Sequence, residues 1–341
     1  MRRDRILLIY TNYSSFVRGD FEILNSAFRV EKYHFNNLSK FNTLISLFKI
    51  TAFIAANFFK IKLVYIWFAD YHSFVPVFLS KLFGYKSVVV AGGYDVSHNR
   101  RYNYGSFNKV LRGCFTIYSF RHSNLVIAVS NYVDRILNSI APKAKIKTIY
   151  NGVNLVKQQY DEQIKSKVIC VARVSSKQTF YIKGIDRFIN VAFAMGSKEF
   201  ILIGSKEKLL KSIFGELPKN LKVIENVEHE EMVKFYNQCA VYCQFSRNES
   251  FGLALAESMS FGAIPVCSNT GGMIEVVEDC GIVLNDCSVD STIEGIERAF
   301  ILSSNKNNRE KCQNRIETNF SLEIRKNIIL DSIYQLIKKD R

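Results

Sequence analysis

Short apolar, β-branched runs alternate along this chain with longer stretches whose apolar residues recur at helical spacing. Arg5–Tyr10 predicts a buried strand, residues 20–27 a helix and residues 30–34 a second strand. Residues 42–60 predict an aromatic-rich helix, 64–67 a strand, 74–82 a helix, 87–91 a valine strand ending at Gly92-Gly93, 126–129 a strand and 131–137 a helix. The pattern then restarts. Strands are expected at 168–172, 200–203, 221–224, 241–244 and 264–268, with helices at 183–195, 206–214, 230–237, 251–261 and 272–277 between and after them. A last helix, 322–338, has no strand after it. Such alternation is the mark of parallel sheets with helices on both faces. Two α/β domains in tandem follow, 1–160 and 161–320, with the helix of 321–341 returning toward the first.

In open parallel sheets, ligands bind beyond the carboxyl ends of the strands. The segments at those ends are 11–20, 92–95, 173–183, 204–205 and 246–251. None has the spacing of a GxGxxG dinucleotide fingerprint or of a Walker phosphate loop, which argues against a dehydrogenase or an ordinary NTPase. Ser250 is placed to cap a helix beginning near Phe251, and Gly262 to end it. Glu249 then precedes the helix and Glu257 lies about two turns inside it. A helix start attracts phosphate, so acids beside it suit hydrogen bonds from sugar or ribose hydroxyls. Arg173, after a strand, and Lys183, before a helix, together can neutralise a diphosphate. Each of these residues also has a plainer reading as a solvated surface charge, and Gly271-Gly272 as a simple turn.

Charge changes the picture more than composition does. Residues 1–160 hold 22 Lys and Arg against 7 Asp and Glu, whereas residues 161–341 hold 24 of each. The whole surplus of +15 therefore sits in the first half, which calls for an anionic partner there. The 8 cysteines are scattered, most of them within apolar runs, and read as buried free thiols of a reducing compartment. Cys239 and Cys243 lack a second pair at finger-like spacing, so no metal is expected. The apolar run after the basic start is too short for a signal peptide, and residues 44–59 are too interrupted for a membrane span.

The second half resembles the family-4 retaining glycosyltransferases. That family's pattern is an acid, seven residues and a second acid, and Glu249 and Glu257 have this spacing in a Ser-x-x-Glu-x-Phe-Gly-Leu context. Val171-Ala-Arg173, Lys183-Gly184-Ile-Asp186, Ile149-Tyr-Asn151-Gly152-Val153 and Gly271-Gly272 with Glu275 match further segments, over roughly residues 125–280. The resemblance implies the GT-B fold, two Rossmann-like domains facing across a cleft. It implies that Arg173 and Lys183 bind the diphosphate of a UDP- or GDP-sugar, that Glu257 holds the ribose and that Glu249 touches the transferred sugar. Backbone at Phe251, Gly252 and Leu253 would add donors to the phosphate, with Gly204 and Asn226 on the nucleotide side. Lys183 and Arg173 would stand in for a divalent ion; no DxD motif occurs, and neither metal nor cofactor is expected. Two features depart from the family. Gly92 stands where a histidine is frequent, and the segment 12–20 replaces a glycine-rich loop.

On the acceptor side, Arg18 (with Asp20), Gly93, Tyr94 and Asp95 follow strands, and Gly271 and Gly272 form the sugar-side loop. His122 is either structural or functional. A hexosyltransferase of surface-polysaccharide assembly is expected, with a lipid-linked or oligosaccharide acceptor. The basic half would meet that acceptor or an anionic membrane, and no nucleic-acid module is present. The expected place is the cytoplasm, peripheral on the inner face of the cell membrane. The competing reading is a non-catalytic nucleotide-sugar-binding partner of a glycan-assembly complex.

Overall fold

The computed structural model describes residues 4–155, 166–228 and 231–338. The chain forms two compact units, Met1–Gly152 with Leu322–Arg341, and Val153–Ser321. The boundary expected at 160/161 lies outside the described residues.

The first unit runs β1 (Arg5–Tyr10), α1 (Ser15–Ala27), β2 (Arg29–His34), α2 (Lys40–Asn57), β3 (Ile61–Trp67), α3 (Tyr71–Phe83), β4 (Lys86–Ala91), α4 (Val110–His122), β5 (Leu125–Ala128), α5 (Asn131–Ile140) and β6 (Ile146–Thr148). Its six strands are parallel in the order β2-β1-β3-β4-β5-β6. The inner strands are apolar without alternation because both faces of the sheet are covered, Ile6 to Ile9 and Leu63 to Ile66 being fully buried, whereas the edge strands β2 and β6 are polar and only partly buried. Between β4 and α4, residues 94–96 and 106–108 form single 3₁₀ turns. Helix α4 has no counterpart in the sequence reading. Its first residues Val110 and Leu111 are exposed and its buried positions are Gly113, Thr116, Ser119 and Phe120, so no apolar stripe announces it.

The second unit runs β7 (Lys167–Val174), α6 (Lys177–Ile182), α7 (Ile185–Ala194), β8 (Phe200–Ser205), α8 (Glu207–Phe214), β9 (Leu221–Ile224), α9 (Met232–Gln238), β10 (Cys239–Gln244), α10 (Leu253–Ser260), β11 (Ile264–Ser268), α11 (Met273–Val277), β12 (Ile282–Leu284), α12 (Val289–Ser304) and α13 (Lys306–Phe320). Its sheet is parallel in the order β12-β11-β10-β7-β8-β9. The chain leaves β7 in one direction and returns to its other side at β10, which makes the carboxyl ends of β7 and β10 the switch point where a ligand fits.

The helix expected over 183–195 is α7, which begins at Ile185; the short helix α6, not expected, precedes it, and the two are broken at Lys183-Gly184. Gly184 has φ +68°, and a Cβ there would stand 1.9 Å from the Phe245 carbonyl oxygen, so only glycine lets this turn close on the β10 end. Strands β6 and β12 and helices α12 and α13 are also additions. Helix α13 is strongly polar and buries only Cys312, Ile316 and Phe320, a stripe one residue wide.

The final helix, α14 (Leu322–Lys338), belongs to the first unit, where it packs on α1. Arg325, Ile329, Ser332 and Ile333 are its buried positions, and Tyr334 meets the Phe28 ring.

Candidate functional site

The switch point of the second sheet collects the expected charges. Arg173 is exposed at the penultimate position of β7. Lys183 terminates α6, and its Nζ donates to Glu249 Oε2 at 2.8 Å. Glu249 itself is nearly buried, with 12% of its side chain exposed against 32% for Lys183. The lysine and the first acid, 66 residues apart in sequence, are thus a direct ion pair at the strand ends.

Two residues that the sequence reading passed over hold this pair. Gln244, the last residue of β10, is buried and donates from Nε2 to the same Glu249 oxygen at 2.8 Å. Its Oε1 is buried with no hydrogen-bond partner among the described residues. Arg247 forms a two-pronged bond to Asp186, Nη1 to Oδ1 at 2.7 Å and Nη2 to Oδ2 at 2.6 Å. It also donates to the Tyr181 carbonyl at 2.6 Å, and its amide to that of Ile182 at 2.7 Å. Arg247 therefore clamps the 181–186 turn that presents Lys183. The signal for Gln244 was a lone amide closing an otherwise apolar strand, and for Arg247 a cation beside the acid motif.

Helix α10 starts at Leu253 rather than near Phe251, and Gly252, with φ +92°, takes the cap position in place of Ser250. Among the described residues no side chain caps this start, which leaves its first amides to an anion. Gly262 ends the helix as expected, its amide donating to the Met259 carbonyl. Glu257 sits inside α10, where its Oε2 accepts the Tyr236 hydroxyl at 3.0 Å. Burial pushes the Glu257 carboxyl up to about 7, with the Tyr236 bond pulling the other way.

Gly271 and Gly272 precede α11. A Cβ on Gly271 would stand 1.7 Å from the Glu249 carbonyl oxygen, and one on Gly272 would stand 2.2 Å from that of Ser250. The Gly272 amide donates to the Glu249 carbonyl at 3.2 Å. This loop is pressed against the backbone that carries the first acid, which alone accounts for the glycines. Gly204 is the penultimate residue of β8, and Asn226 is exposed just beyond β9. Among the described residues, no group of three or more His, Cys, Asp and Glu could hold a metal ion.

In the first unit the structure revises three expectations. Asp95 is fully buried, accepting the Ala69 amide at 2.9 Å and the Gly93 amide at 2.8 Å, with burial raising its carboxyl to about 6. It shapes the turn after β4 and cannot reach a ligand. Asp20 is likewise fully buried and is taken by Arg325 at 2.7 Å. His122 is exposed as the last residue of α4, immediately before β5, which places it at the amino edge of the sheet, away from the ligand edge. Arg18 remains exposed in the first turn of α1. Tyr94 accepts from Arg112 Nη1 at 2.9 Å, and Arg112 also pairs with Asp70 at 3.1 Å. His72 is buried against the Trp67 carbonyl, and burial lowers its pKa. At Gly92, where the resembled family often has histidine, the Phe68 ring fills the space, 2.2 Å from where a Cβ would lie. Phe68 itself has φ +66°.

Residues 157–318 match the family model described as glycosyl transferases group 1. A glycogen synthase of Pseudomonas syringae pv. syringae is 27% identical over 128 residues, 35% of this chain and 26% of that protein. The chain spans about a quarter to about half the length of the first curated relatives that it matches. Among solved structures, sucrose-phosphate synthase from Thermosynechococcus elongatus superposes with a TM-score of 0.82 at 16% identity, over 99% of this chain and 100% of that one. The Anabaena protein HepE, solved in complex with UDP-glucose, gives 0.70 at 15% identity over 97% and 99%. The fold is therefore GT-B, built of two Rossmann-like α/β units, and the second unit is related to the group 1 glycosyl transferases.

Proposed function

We propose that the chain is a retaining glycosyltransferase that moves a hexose from a UDP- or GDP-sugar to a lipid-linked or polysaccharide acceptor in surface-polysaccharide assembly. The observation that carries this reading is the Lys183–Glu249 pair at the β7/β10 switch point, inside the segment that matches the family model. Without donor, Glu249 neutralises Lys183. A bound diphosphate competes for Nζ, and with Arg173 and the backbone amides at Phe251, Gly252 and Leu253, which lead into α10, it gains charge-assisted hydrogen bonds. The released Glu249 carboxylate, still held by Gln244, then accepts from a hydroxyl of the transferred sugar. Glu257 accepts from the ribose, Asn226 and Gly204 border the nucleotide, and Gly271-Gly272 border the sugar. Because negative charge grows on the diphosphate as the glycosidic bond breaks, these cations and amides lower the barrier more than they stabilise bound donor. No metal or cofactor is needed for this scheme. Arg18, Gly93 and Tyr94 are assigned to the acceptor side, and the enzyme is placed in the cytoplasm.

Purified protein, a panel of UDP- and GDP-sugars and a polyprenyl-diphosphate-linked acceptor test the proposal. One donor should raise the melting temperature, as ligand binding to the folded state requires, and release its nucleoside diphosphate only when acceptor is present. Stabilisation by a donor without release under any acceptor would make the chain a binding partner rather than a transferase.

A further inference from the structure

Helix α2 lies on the surface of the first unit, yet it is apolar on both faces. Its inner face buries Ser46, Ile50 and Ile54. Its outer face carries Phe41, Leu44 and Phe48, 71%, 66% and 77% exposed, at the i, i+3, i+7 spacing of one helical stripe. Exposed Ala52 and Ala55 continue that stripe, and Leu38 before the helix and Phe59 after it, 88% and 83% exposed, extend it at both ends. Helix α3, packed beside α2, adds Phe78 and Leu82 to the exposed surface. Contiguous apolar exposure of this kind marks a surface that another phase or molecule covers.

Charge identifies what covers it. From Lys32 to Val133 the chain has 12 Lys and Arg and two carboxylates, Asp70 and Asp95. Both acids are buried and spent internally: Asp95 on the Ala69 and Gly93 amides, Asp70 on capping α3 and pairing with Arg112. The exposed surface of this segment therefore presents cations and no anion. Lys40, Lys49, Lys60 and Lys81 stand beside the apolar stripe itself. A face of aromatic and leucine side chains bordered by Lys40, Lys49, Lys60 and Lys81 complements an anionic bilayer, where apolar groups enter the acyl boundary and ammonium groups remain among the phosphates. With 18 residues, α2 is about 27 Å long. Among the described residues no helix is long and apolar enough to cross a membrane, so α2 would lie in the interface plane.

We propose that the outer face of α2, with Leu38, Phe59 and the exposed end of α3, is a docking surface for an anionic lipid bilayer. This does not depend on the donor chemistry proposed above. The test is flotation of the full chain with phosphatidylglycerol vesicles and with phosphatidylcholine vesicles, at low and high salt. The chain should float with the anionic vesicles at low salt, bind neutral ones at least tenfold more weakly and be released by salt. The double substitution Leu44→Ser/Phe48→Ser should reduce bound protein more than tenfold, and Lys49→Glu/Lys60→Glu should do so at low salt. Ile301→Ser, an equally exposed apolar site on α12 of the other unit, should have no effect. Since all these side chains are exposed, melting temperatures should stay at the parent value, which separates lost docking from lost folding. The proposal is overturned if neutral and anionic vesicles bind alike or if the α2 double variant binds as the parent does. It is overturned too if no vesicle binds while the parent self-associates and the double variant does not, which would make the face a protein interface.

Discussion

At the scale of single residues, the site depends on how two carboxylates are held. Glu249 accepts two donors on one oxygen, Lys183 and Gln244, and the second is the one that remains if a phosphate takes the lysine. Gln244→Leu keeps the volume and removes that donor. Turnover should fall about tenfold, the worth of one hydrogen bond of about 1.4 kcal/mol to a charged group, with the melting temperature little changed; steady-state kinetics beside thermal denaturation measures both. Glu257 behaves differently, because burial lifts its carboxyl from 4.5 to about 7. The folded state then binds the proton more tightly than the unfolded chain. This contribution is fully present below 4.5 and is lost as pH rises through about 7. Glu257→Gln, which never ionises, should therefore gain stability relative to the parent between pH 5 and pH 8, read as the difference in melting temperature across that range. The acid pair and Lys183 were legible from sequence because a spaced motif carries them. Gln244 was not, because its meaning comes from a contact that no periodicity records. Asp95 and Asp20 misled for the converse reason: position after a strand or at a helix start says nothing of whether a carboxylate points outward or into backbone amides.

At the scale of elements, the strands and most helices were legible because buried parallel strands are short apolar runs. The missed helices α4, α12 and α13 share one cause. They bury few or small residues, such as Gly113, Thr116 and Ser119 in α4 and Gly295 and Ala299 in α12, so their apolar stripes are thin. Helix α14 was legible as a helix, but its anchor was not. Arg325, 3% exposed, donates from Nε and Nη2 to Asp20 at 2.7 and 2.8 Å. Its Nη1 donates to the carbonyls of Ile149 and Tyr150, and Tyr65 donates to the same Asp20 at 2.7 Å. One guanidinium thus ties α14 to α1 and to the segment after β6. Removing it strands a buried carboxylate, and breaking such a pair typically costs about 3–5 kcal/mol. Arg325→Ala should destabilise the first unit by this order. The only tryptophan, Trp67, lies in that unit with the Arg325 guanidinium 5.7 Å from its ring, so its fluorescence in a urea titration reports this unit. An unchanged midpoint would mean that the latch contributes nothing to stability.

At the scale of the whole molecule, the chain enters the second unit after Gly152 and leaves it at Ser321, so each unit is assembled around its own sheet while the last helix completes the first. The duplication of the strand–helix pattern made this division legible, and the placing of the entire charge surplus in residues 1–160 separated a basic unit from a neutral one. What composition could not carry was that Asp70 and Asp95, the two acids between Lys32 and Val133, are buried, so that this segment exposes cations alone. The second unit holds the proposed chemistry, and its central claim is that Lys183 stabilises the departing diphosphate. The most direct test is turnover of Lys183→Ala under saturating donor and acceptor, with its melting temperature measured in parallel. Lys183 is partly exposed and its partner Glu249 keeps the Gln244 bond, so folding should be retained. Turnover should fall roughly 100- to 1,000-fold, the loss expected for one well-placed donor to transition-state charge. A folded variant whose turnover stays within about threefold of the parent, a barrier change of well under 1 kcal/mol, would contradict the account.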